Sequence, residues 1–245
     1  MLVKTSGIVI KNTKYTDSSI ISKIYTRSLG MQTYMIHGVR SPKAAIKPSL
    51  LQPLVLLDLV VYSNPTKNIQ RIKEARANPA LHNLHFDVLK STVGLFVAEL
   101  LHKAVKEEEP NAGLYDFVEK FILFTDTADE NLGVLPLFFV LHMSRFLGFF
   151  PHAPTVYNND AFNLADGQFT HTLSTGTNTI EPEHAIYLHR LIFADFSKLA
   201  AIRIPKTSRT VLLSKVIDYY IMHIPGFFAL KSLNVLTSLM KDDRH

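Results

Sequence analysis

The first 80 residues alternate between apolar and polar positions with the two-residue period of β-strands. Five segments show this alternation or a continuous β-branched run, at residues 7–17, 18–28, 31–39, 50–63 and 68–77. Turn-forming residues separate them, as at Ser28-Leu29-Gly30 and Ser63-Asn64-Pro65. The fifth segment is also compatible with a short helix. Five short strands in a row predict a small closed barrel or a sandwich.

The hydrophobic period becomes helical after Asn78-Pro79. Apolar residues recur every three or four positions over residues 86–109, from Phe86 onwards, which predicts a long amphipathic helix. The same reasoning predicts further helices at residues 114–125, 132–149, 182–200, 208–223 and 227–240.

Residues 150–180 interrupt this helical pattern. They are rich in Pro, Asn, Asp, Gly and Thr, which predicts a loop excursion or a small β-subdomain. We expect Phe162, Leu164 and Phe169 to face the helices and Asp166-Gly167 to form a turn. The pattern therefore predicts a multi-domain α+β fold, with a β-domain at 1–80 and a helical domain at 81–245 that contains a loop-rich subdomain at 152–180.

Composition narrows the class of protein. The chain has 245 residues, of which 47% are hydrophobic and 19% charged, as in ordinary globular proteins. It has no cysteine, which excludes disulfides, thiolate catalysis and cysteine-ligated zinc and favours a cytosolic setting. The first residues do not resemble a signal peptide. His142 and Arg145 interrupt the most apolar stretch, residues 133–150, so we expect a buried helix there and no membrane span.

The charges are distributed unevenly along the chain. Residues 1–80 hold 12 Lys and Arg against 3 Asp and Glu, whereas residues 81–245 hold 14 against 18. No acidic residue occurs between Asp17 and Asp58. This asymmetry indicates a polyanion-binding module on a scaffold. A solvated basic face without a partner is the alternative.

The most basic loop connects the third and fourth predicted strands, at residues 38–53. It carries Arg40, Lys43 and Lys47, and its prolines stiffen the path. Small barrels often bind single strands through such cations together with aromatic side chains. The flanking phosphate-contact candidates are Lys11, Lys14, Arg71 and Lys73. The candidates for stacking on bases are Tyr15, Tyr25, Tyr34 and His37, although a core or surface strand position is the more common role for each tyrosine.

The sequence contains no motif that predicts an enzyme. The patterns GxSxG, GxxxxGK[ST], HExxH and GxGxxG are all missing. His142 and Arg145 have helical spacing, which more often marks a partly buried polar contact than an acid–base couple. The histidines and aspartates of residues 152–184 match no compact metal-ligand spacing. We therefore expect no catalytic residue, no metal and no cofactor.

The order of several short features resembles the RecO family of bacterial recombination mediators. Tyr15 is followed by an acid and a serine, Thr26 lies four residues ahead of Gly30, and a Gly-x-Arg loop leads to Leu-Gln-Pro before the fourth strand. The resemblance continues more loosely through RFLGFFPHAP and FNLADGQF to IPGFFALKSLNVL. It therefore spans nearly the whole chain.

This resemblance implies both a fold and a function. The fold would be an N-terminal OB-fold, a five-stranded β-barrel, followed by an all-α helical domain. The function would be binding to single- and double-stranded DNA and annealing of complementary strands, with RecR and single-strand-binding protein as partners in loading RecA. RecF remains open as a further partner. Many RecO proteins carry a four-cysteine zinc subdomain after the helix that here ends near residues 148–151. This chain has no cysteine in that region, so the resemblance does not imply zinc here.

The resemblance also implies that the helical domain receives the acidic, Phe-ended tail of single-strand-binding protein. Such a tail needs an apolar pocket beside cations. The candidate partner-binding residues are Arg145, Arg190, Arg203, Lys206 and Arg209, for which ordinary helix-end charges are the alternative. Two other functions stay open, an adaptor for an acidic partner and a sequence-specific DNA-binding regulator. No helix-turn-helix with a basic recognition helix stands out in support of the regulator.

Overall fold

The first five strands of the protein close into a barrel. The computed structural model describes residues 1–39, 41, 44–106, 109–153, 159–171 and 178–241. The strand order is β1-β2-β3-β5-β4, closing back onto β1, and only β3 and β5 pair in parallel. This confirms the predicted OB-fold barrel and excludes a sandwich. The strands are β1 (Leu2–Lys14), β2 (Ile20–Thr26), β3 (Gly30–Ile36), β4 (Leu56–Tyr62) and β5 (Gln70–Ala77).

The long strand β1 allows the barrel to close because it pairs on both sides. Residues 7–14 pair with β2, and residues 2–8 pair with β4. Gly7 lies where the two pairings overlap, and a Cβ there would come within 2.6 Å of Leu59 and 2.8 Å of Ile24. The apolar side chains that fill the interior are Val9, Ile24, Tyr34, Val55, Leu57, Leu59 and Val61.

The connection between β3 and β4 closes one end of the barrel. Val39, Ile46 and Leu51 from this connection form one buried cluster with Ile36 at the end of β3. A short 3-10 turn, Pro48–Leu51, carries the chain towards β4. The predicted loop between the third and fourth strands is therefore anchored by apolar residues on both sides of its basic segment.

Two helices, α1 (Val88–Ala104) and α2 (Ala112–Thr127), follow the barrel. Helix α1 begins at Val88 because the side chain of Asp87 accepts a hydrogen bond from the N–H of Lys90. The predicted start at Phe86 is wrong, and that side chain is 82% exposed. Helix α1 packs against β1. At the barrel, the hydroxyl of Tyr25 donates to the carbonyl of Asn111, one residue before α2.

Four further helices lie in the second half of the described chain. They are α3 (Leu135–Phe146), α4 (Pro182–Ile192), α5 (Lys206–His223) and α6 (Lys231–Lys241). Two of the predicted helices are too long. A 3-10 turn precedes α3, and α4 stops at Ile192. Beyond α4, the carboxylate of Asp195 accepts the N–H groups of Ser197 and Lys198 and so stabilises a turn.

The segment between α3 and α4 contains a small three-stranded sheet, so the β-subdomain alternative is correct. Its order is β7-β6-β8. Phe162 and Leu164 are buried, whereas Phe169 is only half-buried. Gly167 has a φ of +66° in the turn between the first two strands, which glycine adopts without strain. The strands are β6 (Ala161–Asn163), β7 (Gln168–Thr170) and β8 (Thr179–Ile180).

The chain divides into two compact units, residues 1–126 and 127–245. The predicted division at residue 80 lies where the strands end and the helices begin. The first compact unit instead contains the barrel together with the first two helices. That domain boundary therefore stays a prediction. None of the helices in the described ranges is long and apolar enough to cross a bilayer.

Candidate nucleic-acid interface

A row of basic side chains lies on the outer face of the barrel. Lys11 on β1 stands directly opposite Lys23 on β2, and Lys23 stands opposite Thr33 on β3. Their neighbours Ile24 and Tyr34 belong to the interior cluster. Because successive strand residues point to opposite faces, Lys23 and Thr33 point outward. Sequence reasoning missed Lys23, whose alternating position in the second strand was the available signal.

A β-bulge brings Lys11 to this outer face. The register between β1 and β2 shifts between Val9 and Lys11, so one extra residue is accommodated there. Val9 points into the barrel, and strict alternation would turn Lys11 inward as well. The extra residue at the bulge instead places Lys11 beside Lys23. The pairing between β1 and β2 therefore decides that the side chain of Lys11, a predicted phosphate contact, points outward.

Arg71 belongs to the same outer face. It pairs with Met35 on β3 and with Tyr62 on β4. Val61, next to Tyr62, points into the barrel core, so Tyr62 points outward and is 47% exposed. Lys23 and Arg71 form no ion pair with any residue of the described ranges. The face therefore offers uncompensated positive charge beside an exposed aromatic ring.

The described part of the basic loop is connected to Arg71 through packed apolar neighbours. Lys47 is exposed, while its neighbour Ile46 belongs to the buried cluster that also contacts Ile72, next to Arg71. The other two predicted loop contacts, Arg40 and Lys43, lie outside the described residues. Lys47 and Arg71 thus share one end of the barrel through their apolar neighbours.

Two of the predicted phosphate contacts already have acidic partners. The ammonium of Lys14 lies 2.6 Å from the carboxylate of Asp17, and that of Lys73 lies 3.4 Å from the carboxylate of Glu74. All four side chains are well exposed, so these pairs are weak and salt-sensitive. Lys14 and Lys73 are available to an anion only in competition with these carboxylates.

The aromatic candidates separate into two groups. Tyr25 and Tyr34 are fully buried, so stacking on bases is wrong for both and the core interpretation is correct. Tyr15 is 61% exposed in the β1–β2 connection. His37 is exposed after β3, and its Nδ1 lies 3.1 Å from the hydroxyl oxygen of Ser19. Tyr15 and Tyr62 are the exposed tyrosines of the described part of the barrel domain.

Helix α1 adds a histidine beside the two lysines. The Nζ of Lys11 lies 3.1 Å from Nε2 of His102, while Nδ1 of His102 is buried without a hydrogen-bond partner. Burial lowers the pKa of His102, and the charges of Lys11, Lys23 and Lys103 lower it further against the opposing effect of Glu99. These effects favour the neutral imidazole while no anion is present.

The outer surface over β1, β4 and β5 has a different electrostatic character from the surface around Lys11 and Lys23. A groove of about 620 Å³ lies over β1, β4 and β5 and is lined by Lys4, Asp58, Glu74 and Arg76 among others. The guanidinium of Arg76 donates two hydrogen bonds, of 2.7 and 3.0 Å, to the carboxylate of Asp58 and lowers the pKa of that carboxyl group. Because acids and bases alternate there, this groove lacks the uncompensated positive charge of the Lys11–Lys23 side.

Arg145 and Arg190 lie near the contact between α3 and α4. The ring of His142 forms a 3.0 Å hydrogen bond through Nε2 with the carbonyl of Leu191. Burial lowers the pKa of His142, and Arg145 contributes to the same shift. The guanidinium of Arg145 lies 4.2 Å from the centre of the Phe150 ring. His142 therefore connects two helices through the carbonyl of Leu191, while Arg145 lies over the Phe150 ring.

Arg203, Lys206 and Arg209 lie at the start of α5. The side-chain amide of Asn131 donates to the carbonyls of Leu199, Ala200 and Ile202 and so holds the preceding segment. Arg203 is 4.0 Å from Glu130. The first turn of α5 contains no acid, so these cations meet the positive end of the helix dipole. The structure thus places the five partner-binding candidates in two groups.

In the ranges that the structure describes, no group of three or more His, Asp or Glu side chains is arranged to hold a metal ion. His171 and Asp160 contact each other across the small sheet. Such a pair supplies two ligands, whereas zinc sites in proteins use three or four.

Comparison with known proteins identifies two family models that cover most of the chain. The model described as Recombination protein O N terminal matches residues 1–78, and that described as Recombination protein O C terminal matches residues 85–234. Proteins named DNA repair protein RecO from Bacteroides fragilis and Christiangramia forsetii are 33% and 35% identical to this chain over 240 residues. Each alignment covers 98% of this chain and 99% of the relative.

Proposed function

The chain belongs to the RecO family of DNA repair proteins, and on this basis we propose that it is a DNA-binding recombination mediator that anneals complementary single strands. We further propose that it acts with RecR and single-strand-binding protein to help load RecA in the bacterial cytoplasm, at the nucleoid. RecF is a further candidate partner. A role in DNA repair and recombination follows from the family; the DNA contacts and the partners are the proposal.

One observation carries the DNA-binding part of the proposal. On the outer face of the barrel, Lys11 stands beside Lys23 and Arg71 beside Tyr62, and neither Lys23 nor Arg71 has an acidic ion-pair partner within the described ranges. Cations attract the backbone phosphates of any sequence, and an exposed ring stacks on any base. The face therefore suits a single strand without sequence preference.

Annealing needs no covalent chemistry. Two complementary strands repel each other through their phosphates, and a protein that neutralises part of this charge lets them approach. Contacts restricted to phosphates leave the base edges free to pair. Weak, reversible contacts also let the product leave. A barrel face with a few cations meets these requirements without a catalytic residue.

The experiment that tests this proposal removes the charge of the basic loop. We expect the combined substitutions Arg40→Ala, Lys43→Ala and Lys47→Ala to weaken binding to unrelated single strands alike. If wild type neutralises about five phosphates, its log affinity falls against log salt with a slope of roughly −3.5, which is about a hundredfold loss between roughly 50 and 200 mM salt. The variant should have a shallower slope and slower annealing, measured by fluorescence anisotropy and by strand-pairing kinetics.

A matched control distinguishes the effect of charge in the loop from the effect of the overall net charge. Lys120, Lys198 and Lys231 are exposed lysines outside the barrel, and replacing all three by Ala removes the same net charge. We expect that control to bind and anneal like wild type. An unchanged affinity and salt slope in the loop variant would contradict the proposal. A thousandfold preference of wild type for one sequence would instead favour the regulator.

We propose that the second unit receives the acidic tail of single-strand-binding protein. Arg190 and the 56% exposed Phe193 lie three residues apart at the end of α4. The cations of α5 oppose its helix dipole, and a bound carboxylate would relieve that repulsion. A Phe-ended acidic peptide, titrated against wild type and against Arg203→Ala/Lys206→Ala/Arg209→Ala, tests which group is used. If that variant and Arg145→Ala/Arg190→Ala both bind like wild type, neither group receives the tail.

A further inference from the structure

Two lysines with like charge lie side by side on the outer face of the barrel, next to α1. Residues directly opposite each other in an antiparallel pair have Cβ atoms about 4.5–5.5 Å apart, and like charges there cost stability. Neither Lys11 nor Lys23 forms an ion pair with a described residue, and the nearby carboxylate of Glu99 lies 3.0 Å from Lys103. The fold therefore maintains a local excess of positive charge that an anion would relieve.

The third member of this group is His102, near the end of α1. An ammonium group can only donate, so the 3.1 Å contact makes Nε2 of His102 the acceptor from Lys11. The charged groups that face the ring are Lys11 on β1, Lys23 on β2, and Glu99 and Lys103 on α1. Since Glu99 pairs with Lys103, the two strand lysines dominate the surroundings of the imidazole.

We infer that Lys11, Lys23 and His102 form a phosphate-binding site shared by the barrel and α1, in which His102 takes up a proton when a backbone phosphate of DNA enters. The phosphate oxygen draws Lys11 away from Nε2. Nε2 then binds a proton from solvent and donates it in a hydrogen bond to the phosphate. No covalent bond forms or breaks, and the imidazole becomes a third cation only in the complex.

The site rests on the proposed DNA-binding function and extends it. Arg71 lies on the same outer face, two strand spacings or about 10 Å from β2. A strand of DNA that contacts Lys23 can therefore run across β3 towards Arg71 and Tyr62. Because three donors with no free carboxylate surround the site, it selects an anion and disfavours a metal ion.

This inference predicts that DNA affinity depends on pH through one residue. The neutral ring in the free protein and the charged ring in the complex mean that binding takes up a proton. Affinity should therefore fall as pH rises from 6 to 8, by up to about tenfold per pH unit where one full proton is linked. The measurement is anisotropy of a labelled oligothymidylate with full-length protein at constant ionic strength. His102→Gln should remove most of this pH dependence.

Lysine variants test the site independently of pH. We expect Lys23→Met to weaken binding at every pH and to lower the salt slope by about 0.7, as one lost phosphate contact on a single strand does. Removing one of two opposed like charges does not disrupt the barrel, so the variant should melt no earlier than wild type. Lys4→Met is the matched control, because Lys4 is an exposed β1 lysine in the mixed-charge groove over β1, β4 and β5.

A spectroscopic readout distinguishes binding from a merely structural role. The imidazole C2 proton of His102, assigned through His102→Gln, should titrate at higher pH after oligothymidylate is added. An unchanged titration, or a pH dependence that survives in His102→Gln, would overturn the inference. If wild type fails to bind DNA at all, the proposed function fails with it. If the loop variant loses affinity while Lys23→Met and His102→Gln do not, this inference alone is wrong.

Discussion

At the scale of single residues, a buried carboxylate illustrates what charge counting overlooks. Asp126 at the end of α2 is buried, and its carboxylate accepts the backbone N–H groups of His82, Asn83 and Leu84. Burial opposes its charge, but these three donors outweigh burial and hold the pKa of Asp126 below its ordinary value. The ammonium of Lys90 donates to the carbonyl of the same residue. Asp126 therefore holds the segment that leads from the barrel into α1.

We predict that Asp126→Asn lowers the free energy of unfolding by about 1–3 kcal/mol, since an amide accepts these hydrogen bonds less strongly than a carboxylate. The depressed pKa means that the stabilisation is fully present above the unfolded value of about 3.9 and is lost as pH falls through the lower folded pKa. Urea unfolding at pH 7 and pH 3 should show a smaller difference from wild type at pH 3 than at pH 7. The exposed Asp129→Asn is the control, and equal losses in the two variants would contradict this role.

The candidate site also shows which single residues were predictable. Lys11 and Arg71 were predicted from charge alone, and in the structure both point outward from the barrel. The alternation of the second strand indicated that Lys23 points outward, but Lys23 was missed because outward direction alone does not identify a DNA contact until the neighbouring residues are known. His102 lies 91 residues from Lys11 in the chain, and no local pattern connects them.

At the scale of elements, β1 can pair on both sides because residue 7 is a glycine and has no side chain. Gly7 lies inside the barrel between β2 and β4, against Leu59 and Ile24. A methyl group there must displace two buried side chains, because protein cores are close-packed. The same strand carries the bulge that turns Lys11 outward. Barrel closure and the direction of a candidate DNA contact thus depend on the local shape of one strand.

We predict that Gly7→Ala destabilises the protein by about 1–3 kcal/mol through overpacking. Thermal unfolding measures the loss. Leu59→Val removes part of the obstructing side chain, so the double variant should lose less than the sum of the two single variants. Strict additivity of the two effects would show that the cost arises elsewhere than in this contact. Gly38→Ala is a useful comparison, since a Cβ there meets nothing within 4 Å and the strain comes only from its φ of +68°.

At the scale of the whole molecule, the barrel and the first two helices form one compact unit. Ile8, Ile10 and Tyr25 are buried although they alternate with Val9 and Ile24, which fill the barrel interior. β1 and β2 are therefore apolar on both faces where the helices cover them. The continuous run of apolar residues 7–10 contains this information, because a strand exposed on one face would alternate.

We predict that a fragment of residues 1–126 unfolds cooperatively, whereas a fragment of residues 1–80 exposes the outer apolar face and aggregates or binds a hydrophobic dye. The physical reason is that removal of α1 and α2 returns buried aliphatic and aromatic surface to water. Circular dichroism melts and dye fluorescence at equal concentration make the comparison. A well-dispersed NMR spectrum and a cooperative melt for the shorter fragment would contradict this prediction.

The sequence by itself determined the order of elements, the barrel of five strands, the helices that follow and the concentration of positive charge in the first third. These are properties of neighbouring residues, since hydrophobic period, turn residues and local charge are all read along the chain. Only the tertiary structure decided that Tyr25 and Tyr34 are core residues, that a bulge turns Lys11 towards Lys23, and that His102 joins them. Those outcomes depend on strand register and on packing between residues far apart in the chain, for which a single sequence carries no local signal.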